Sequence, residues 1–388
     1  MKANRRNFIR QSLTTAAGLA ITAIPGQASA PYTIANRPII TEDRKRVSTP
    51  ANSIKFSVIG LNHGHIYGQT EAVIRGGGQL VSFFGKEPDL AEAFAKRYPQ
   101  AKLARSEKEI LEDSSIQLVV SASIPVDRAP LGIQVMKHGK DFMVDKPGIT
   151  TLKQLEEVRK VQKETKKIYS IMYSERLENR ATVKAGQLVK EGAIGKVIQT
   201  IGLGPHRMNI KSRPEWFFKN NMYGGIICDI GSHQFDQFLF FTGSTQASVV
   251  SSQVGNVHYP QYPEFEDFGD VMLRGNEGAG YIRVDWFTPD GLNTWGDGRL
   301  TILGTEGFME LRKNCDIGGR EGGNHLFLVN QKETRYIDCK EEPLVYGEQL
   351  VNDIVNRTET AMTQTHCFLA TELALQSQKQ AQKLTIKK

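Results

Sequence analysis

Between Ile54 and Met172, apolar runs of strand length alternate with amphipathic runs of helix length, and this alternation constrains the chain more than any other feature. Lys55-Phe56-Ser57-Val58-Ile59-Gly60 reads as a strand stopped by glycine, and a helix follows through Tyr67 to Ile74. Gln79 to Phe84 is the next strand and Asp89 to Tyr98 the next helix. Ser106-Glu107-Lys108-Glu109 is a capping box opening a short helix. Ile116 to Ala122 and Asp141 to Val144 are strands around a helix at Ala129 to Lys137; a helix at Thr151 to Glu164 and a strand at Lys167 to Met172 follow. Parallel strands need crossovers of helix length, so this spacing predicts a doubly wound parallel sheet.

The pattern changes after Tyr173. Leu188 to Lys196 ends a helix and leads into a strand at Val197 to Gly202; a helix is expected from Gly225 to Phe241, closed by Gly243. From Val249 onward short strands flank turns at Asn276-Glu277-Gly278 and Thr305-Glu306-Gly307, and a helix near Thr363 to Lys383 closes the chain. The expected fold is α/β followed by α+β. Residues 54–173 form a dinucleotide-type domain, and residues 174–388 carry an open, mainly antiparallel sheet with helices on one face. The other face offers a surface for homo-oligomers.

Residues 1–30 read as an export signal. Asn4-Arg5-Arg6-Asn7-Phe8-Ile9-Arg10 resembles a twin-arginine motif, followed by a weakly apolar run from Leu13 to Ile24 and small residues at Gly26 to Ala30. That run is too short and too rich in Thr, Gly and Ala for a membrane span, so none is expected after processing, which would cut after Ala28 or Ala30. The expected location is periplasmic. Residues 31–53 read as a linker or arm. Lys2, Arg5, Arg6 and Arg10 supply four of the formal +7 charges; the remaining +3 is too mild to argue for nucleic acid. Cys228, Cys315, Cys339 and Cys367 have no metal-ligand spacing.

Three stretches carry chemistry. Gly60-Leu61-Asn62-His63-Gly64-His65 lies at the first strand–helix turn, where a nucleotide pyrophosphate would sit. It is not a clean GxGxxG: Asn62 stands where backbone at positive φ is expected, and His65 where a small residue is. No carboxylate or cysteine accompanies His63 and His65 in the sequence, so no metal is expected. The second strand ends at Gly85-Lys86 without an acid, which tilts the ribose preference towards NADP, with Glu87 leaving NAD open. Asp145-Lys146-Pro147 ends a buried strand, and proline keeps Lys146 extended at the sheet's carboxyl edge. Gly224-Gly225-Ile226-Ile227-Cys228-Asp229-Ile230-Gly231-Ser232-His233-Gln234-Phe235-Asp236 is very apolar yet contains Asp229, His233 and Asp236, which share one face of a continuous helix.

These motifs together resemble the glucose–fructose oxidoreductase/inositol dehydrogenase (Gfo/Idh/MocA) family. Asp-Lys-Pro stands for that family's Glu-Lys-Pro, Ser123-Ile124-Pro125 for its Thr-Pro turn, and Tyr173-Ser174 and Glu191 to Gly195 fit its spacing. The resemblance implies hydride transfer between a sugar, polyol or glycoside carbinol and tightly bound NADP or NAD. It implies Lys146 as donor to the reacting oxygen, with His233 as general base and Asp229 as its orienter, or the two sharing the substrate hydroxyls. Gly60, Asn62, His63, Gly64, His65, Gly85, Lys86, Ser123, Pro125, Arg128, Asp145, Lys146 and Tyr173 would hold the cofactor. His206, Arg207, Trp216 and Asp236 would bind substrate. Two other outcomes stay open: glycoside hydrolysis through transient oxidation and elimination, and sugar binding without turnover.

Overall fold

The computed structural model describes residues 52–385; the signal-like segment and nearly all of the 31–53 arm lie outside the described residues. The first sheet contains β1 (Ile54–Ile59), β2 (Gly78–Phe84), β3 (Lys102–Leu103), β4 (Leu118–Ser121), β5 (Asp141–Asp145) and β6 (Tyr169–Met172). Their order is β3-β2-β1-β4-β5-β6, and every pairing is parallel. The order reverses between β1 and β4, which opens a crevice at their carboxyl ends. Strands β4, β5 and β6 are buried at every position because helices cover both faces, so their sequences run apolar instead of alternating.

The second sheet contains β7 (Val197–Pro205), β8 (Ala247–Gly255), β9 (Phe268–Gly275), β10 (Ala279–Asp285), β11 (Arg299–Gly304), β12 (Gly307–Arg312), β13 (His325–Asn330), β14 (Thr334–Asp338) and β15 (Gln382–Lys383). The order is β14-β13-β12-β11-β7-β10-β9-β8-β15; only β7–β10 and β8–β15 pair parallel. Here the period of two is plain. Val271, Ile282, Gly202, Leu300, Leu311 and Leu326 form a buried row across neighbouring strands, under the helices Ser232–Thr242 and Arg180–Lys190. One residue along, Met272, Tyr281, Ile201, Thr301, Glu310, Phe327 and Tyr336 form a row on the uncovered face.

Two features depart from the sequence expectation. The helix expected from Gly225 to Phe241 is broken into Ile226–Asp229 and Ser232–Thr242. Gly231 N–H reaches back five residues to Ile226 and His233 N–H only three to Ile230, so the regular ladder is lost. A Cβ at Gly231 would lie 2.5 Å from Ile227 O, which reserves the break for glycine. The second departure is an unanticipated helix at Tyr346–Asn356, which crosses back to the first sheet. Tyr346 bonds Ser170 at 2.9 Å, Asn352 bonds Asn52 at 2.7 Å, and Arg357 just beyond chelates Asp141 at 2.6 and 2.9 Å. One apolar cluster accordingly runs from Ile54 to Leu375 through both sheets.

Candidate active site

Two clefts open at the carboxyl edge of the first sheet. The first is lined by Gly60 and Asn62 beyond β1, Phe84, Lys86 and Glu87 at the end of β2, and Ser123, Ile124 and Leu131 beyond β4. This is the crevice at the order reversal, and its walls suit a dinucleotide. Gly60 has φ +86°, and a Cβ there would lie 2.5 Å from Ser123 Cβ, so only glycine lets β1 turn so close to the β4 loop. Asn62 does not adopt the positive φ expected of it; its amide instead donates to Glu87 Oε1 at 2.7 Å. Lys86 lies 3.4 Å from Glu107 Oε1, so the ribose corner holds two carboxylates beside its cation. Gly85 packs against Leu61, and Gly64 caps the helix His65–Arg75.

The second cleft is lined by His63, His65, Pro125, Arg128, Lys146 and Asp229, and by an aromatic wall that includes Trp216, Tyr223, Trp286 and Trp295. Lys146, 4% exposed, ends β5 and donates to Asp229 Oδ1 at 2.9 Å. Burial works to raise the Asp229 carboxyl, but the adjacent ammonium overrides it and holds the group below the usual range. Asp229 is therefore the partner of Lys146, not the orienter of His233. His233 is 2% exposed and its Nδ1 has no protein partner. Burial pushes its imidazole down to about 3, with Glu175 opposing and the Lys146 charge reinforcing the shift. His206 stands on the cleft wall; burial and then Lys146 lower it to about 4, and its Nδ1 lies 3.2 Å from Gly204 O. A neutral imidazole donates through that nitrogen, which leaves Nε2 as its acceptor.

Asp145 sits behind this floor, 2% exposed. Arg128 Nη2 donates to its Oδ2 at 3.1 Å, and His65 and His63 approach at 2.9 and 3.4 Å. The fold thus brings a carboxylate to the two histidines that the sequence left without one. The Arg128 guanidinium on the same carboxylate, with Lys146 next in the chain, makes this corner a poor cation site. Arg128 also donates to the carbonyls of Ser123, Lys146 and Pro147, pinning the β4 loop to the β5 turn.

Tyr173, His233 and Asp236 line neither cleft, nor do Gly64, Gly85 and Asp145. Tyr173 is buried, its hydroxyl bonded to Thr371 Oγ1 at 3.0 Å and to Cys367 O at 3.3 Å. Asp236 is fully buried; Arg176 chelates it at 2.6 and 2.8 Å and His366 meets it at 2.8 Å. His206, Arg207 and Trp216 do line the second cleft, joined by Arg213, Trp286 and Trp295, which sequence reasoning missed. The last two lie beyond the β-sheet crossover, where no local motif marks them. A buried Glu175–Lys313 pair at 2.6 Å, also unforeseen, adjoins the helix that carries His233.

Comparison with known proteins now decides the family. Residues 54–173 match the oxidoreductase family model with an NAD-binding Rossmann fold, and residues 182–310 match the GFO/IDH/MocA C-terminal domain. The chain belongs to the Gfo/Idh/MocA family of NAD-binding oxidoreductases. A crystal structure from Erwinia carotovora atroseptica SCRI1043, assigned provisionally to the oxidoreductases, is 45% identical with a TM-score of 0.83, covering 86% of this chain and 100% of that one. The scyllo-inositol 2-dehydrogenase (NADP(+)) of Bacillus subtilis (strain 168) is 25% identical over 157 residues, 40% of this chain and 43% of that protein. Levoglucosan dehydrogenase of Pseudarthrobacter phenanthrenivorans is 25% identical over 206 residues, 51% of each. The chain spans about half the length of the curated relatives it matches.

Proposed function

We propose that this family member is an exported dehydrogenase that moves hydride between a carbohydrate carbinol and a retained NAD(P). The observation that carries the reading is Lys146: a buried ammonium at the carboxyl edge of β5, on the floor of the second cleft and bonded to Asp229. Bound nicotinamide would supply the hydride acceptor, and Gly60, Ser123 and Pro125 would hold it between the two clefts. Lys146 donates to the reacting oxygen as negative charge grows there, which a buried cation stabilises far more than water does. Asp229 keeps that ammonium aimed. His206, neutral throughout the physiological range and with Nε2 left as acceptor on the cleft wall, takes the hydroxyl proton; His233 lines neither cleft.

Export supports cofactor retention. The twin-arginine-like segment fits a protein that leaves the cytoplasm folded, and a dehydrogenase without a soluble nicotinamide pool turns over only if its cofactor is regenerated in place. The enzyme therefore runs a closed redox cycle, and two copies pair through the open sheet face that carries Met272, Tyr281 and Tyr336. Lys146→Met tests the assignment: kcat should fall at least about a hundredfold with cofactor binding intact. Wild-type turnover in that variant removes Lys146 from the chemistry. Protein purified empty, active only with excess soluble NAD(P), ends the closed cycle.

A further inference from the structure

The wall of the second cleft opposite Lys146 and Asp229 in sequence origin carries a cation that nothing in the mechanism uses. Arg213 lies in the segment between β7 and the helix Ile226–Asp229, half-buried, its guanidinium carbon 4.5 Å from the Phe217 ring centre and 4.8 Å from that of Trp286. Its Nε donates to Met208 O at 2.9 Å and its Nη2 to Arg207 O at 3.3 Å. Two ring faces and two carbonyls hold the guanidinium in place and leave Nη1 and one Nη2 hydrogen unused. Among the described residues no carboxylate forms an ion pair with it. The carboxylate whose field reaches it is Asp229, already bonded to Lys146.

A second donor nearby lacks a partner too, but it is closed off from the cleft. Trp286 Nε1 is buried without a hydrogen-bond partner, on the ring that Arg213 lies over and in the same cleft wall. A buried indole N–H without an acceptor is costly, and a charged fork without a counter-ion is more so. Arg207, the other arginine of this wall, is tied to the carbonyls of Pro289 and Leu292 and braces the loop.

We infer that Arg213 forms an anion subsite, and that the substrate is an acidic carbohydrate bearing a carboxylate or a phosphate ester. The inference rests on the carbohydrate dehydrogenase reading and names its substrate class. A guanidinium held in place presents parallel N–H bonds, which suit the two oxygens of either anion. Trp286 and Trp295 add apolar faces for the sugar ring, and His206, edge-on to both rings, completes the wall.

The test uses the cofactor-loaded enzyme and matched methyl glycosides in gluco, galacto and manno configurations, each as the neutral hexoside, the hexuronoside and the hexoside 6-phosphate. Nicotinamide absorbance gives kcat/KM, and calorimetry gives binding. In at least one configuration an acidic member should exceed its neutral partner by about tenfold or more. Arg213→Gln should remove that advantage while changing the neutral glycoside less than about threefold, and Arg213→Lys should restore part of it. A hexuronoside advantage identifies the carboxylate source and a phosphate advantage the ester. Neutral glycosides turned over as well as both acids overturn the subsite. So does an equal loss across all three classes in Arg213→Gln, which marks a loop brace. If no glycoside is turned over, the dehydrogenase reading fails instead. Calorimetry then decides the subsite alone: tighter binding of acids that Arg213→Gln abolishes supports it, and equal or absent binding overturns it.

Discussion

Lys313→Met isolates the buried pair beside the helix of His233. Lys313 is 3% exposed and Glu175 9%, and their contact of 2.6 Å is supplemented by Gln237 on the lysine and Gln234 on the glutamate. Burial opposes ionisation of Glu175, yet Lys313 and then the nearby imidazoles hold its carboxyl down to about 2 from 4.5. That depression corresponds to about 3 kcal/mol, within the roughly 3–5 kcal/mol range for breaking a buried pair by removing one partner. Methionine matches the lysine stem closely, so the loss is electrostatic rather than a cavity. At roughly 2 cal/mol/K of unfolding entropy per residue, a chain of this length should melt about 4 °C lower at pH 7.

The pH dependence has a fixed direction. A carboxyl depressed by folding contributes its full stabilisation above about 4.5 and loses it as pH falls through about 2. The melting gap between wild type and Lys313→Met should therefore be widest at neutral pH and shrink between about pH 4.5 and 2. Glu175→Gln combined with Lys313→Met removes both charges and should recover most of the loss, because no uncompensated charge stays buried. Circular dichroism melts of the three proteins across that range check each part. An unchanged melting temperature in Lys313→Met at pH 7, or a gap that widens in acid, refutes the reasoning.

Three further outcomes follow from the clefts. His233 near 3 and His206 near 4 are both neutral above about pH 5, so kcat/KM should show no acid limb near 6.5; a limb there that disappears in His206→Asn would contradict the buried, neutral base. At the ribose corner Lys86→Ala should weaken NADP selectively and Glu107→Gln should strengthen it selectively; fluorescence titrations in which NAD moves equally would remove both residues from 2′-phosphate discrimination. Gly60→Ala forces a Cβ to within 2.5 Å of Ser123 at φ +86°, so strain of about 1–3 kcal/mol should appear as a lower melting temperature and at least about tenfold weaker cofactor binding; wild-type affinity would mean that the turn does not cradle the nucleotide.

What the sequence made legible was local. Gly60, Ser123 and Lys146 each sit at a strand end, and a parallel sheet brings its carboxyl ends together whatever the intervening helices contain. The strands of the second sheet were equally legible, because a one-residue shift would move Leu300 and Leu311 from the covered face to the open one. Helical spacing misled at Asp229, His233 and Asp236. It presumes an unbroken ladder, and a single glycine at 231 breaks it. Tyr173 and Asp236 took their true partners from far along the chain: Thr371 is 198 residues from Tyr173, and His366 is 130 from Asp236. No motif near either residue announces such a partner. The carboxylate that completes the His63–His65 corner comes from 80 residues downstream for the same reason.

The distribution of paired and unpaired charge separates chemistry from specificity. Three buried cations each have a carboxylate: Lys146 has Asp229, Arg128 has Asp145, and Lys313 has Glu175. A neutral surrounding of that kind holds Lys146 in one geometry without pulling substrate in by charge, and it leaves the developing alkoxide as the group that gains most from the ammonium. Arg213 lacks such a partner and lies over the aromatic wall instead. Its charge is available before any bond to hydrogen breaks, so it acts on ground state and transition state alike and governs KM. The two arginine and lysine substitutions should therefore split cleanly. Lys146→Met should lower kcat on neutral and acidic glycosides to the same degree, while Arg213→Gln should raise KM on acidic ones and leave kcat nearly untouched. A fall in kcat from Arg213→Gln comparable to that from Lys146→Met would mean that the anion is gripped only as the reaction proceeds, and that the wall belongs to the catalytic apparatus.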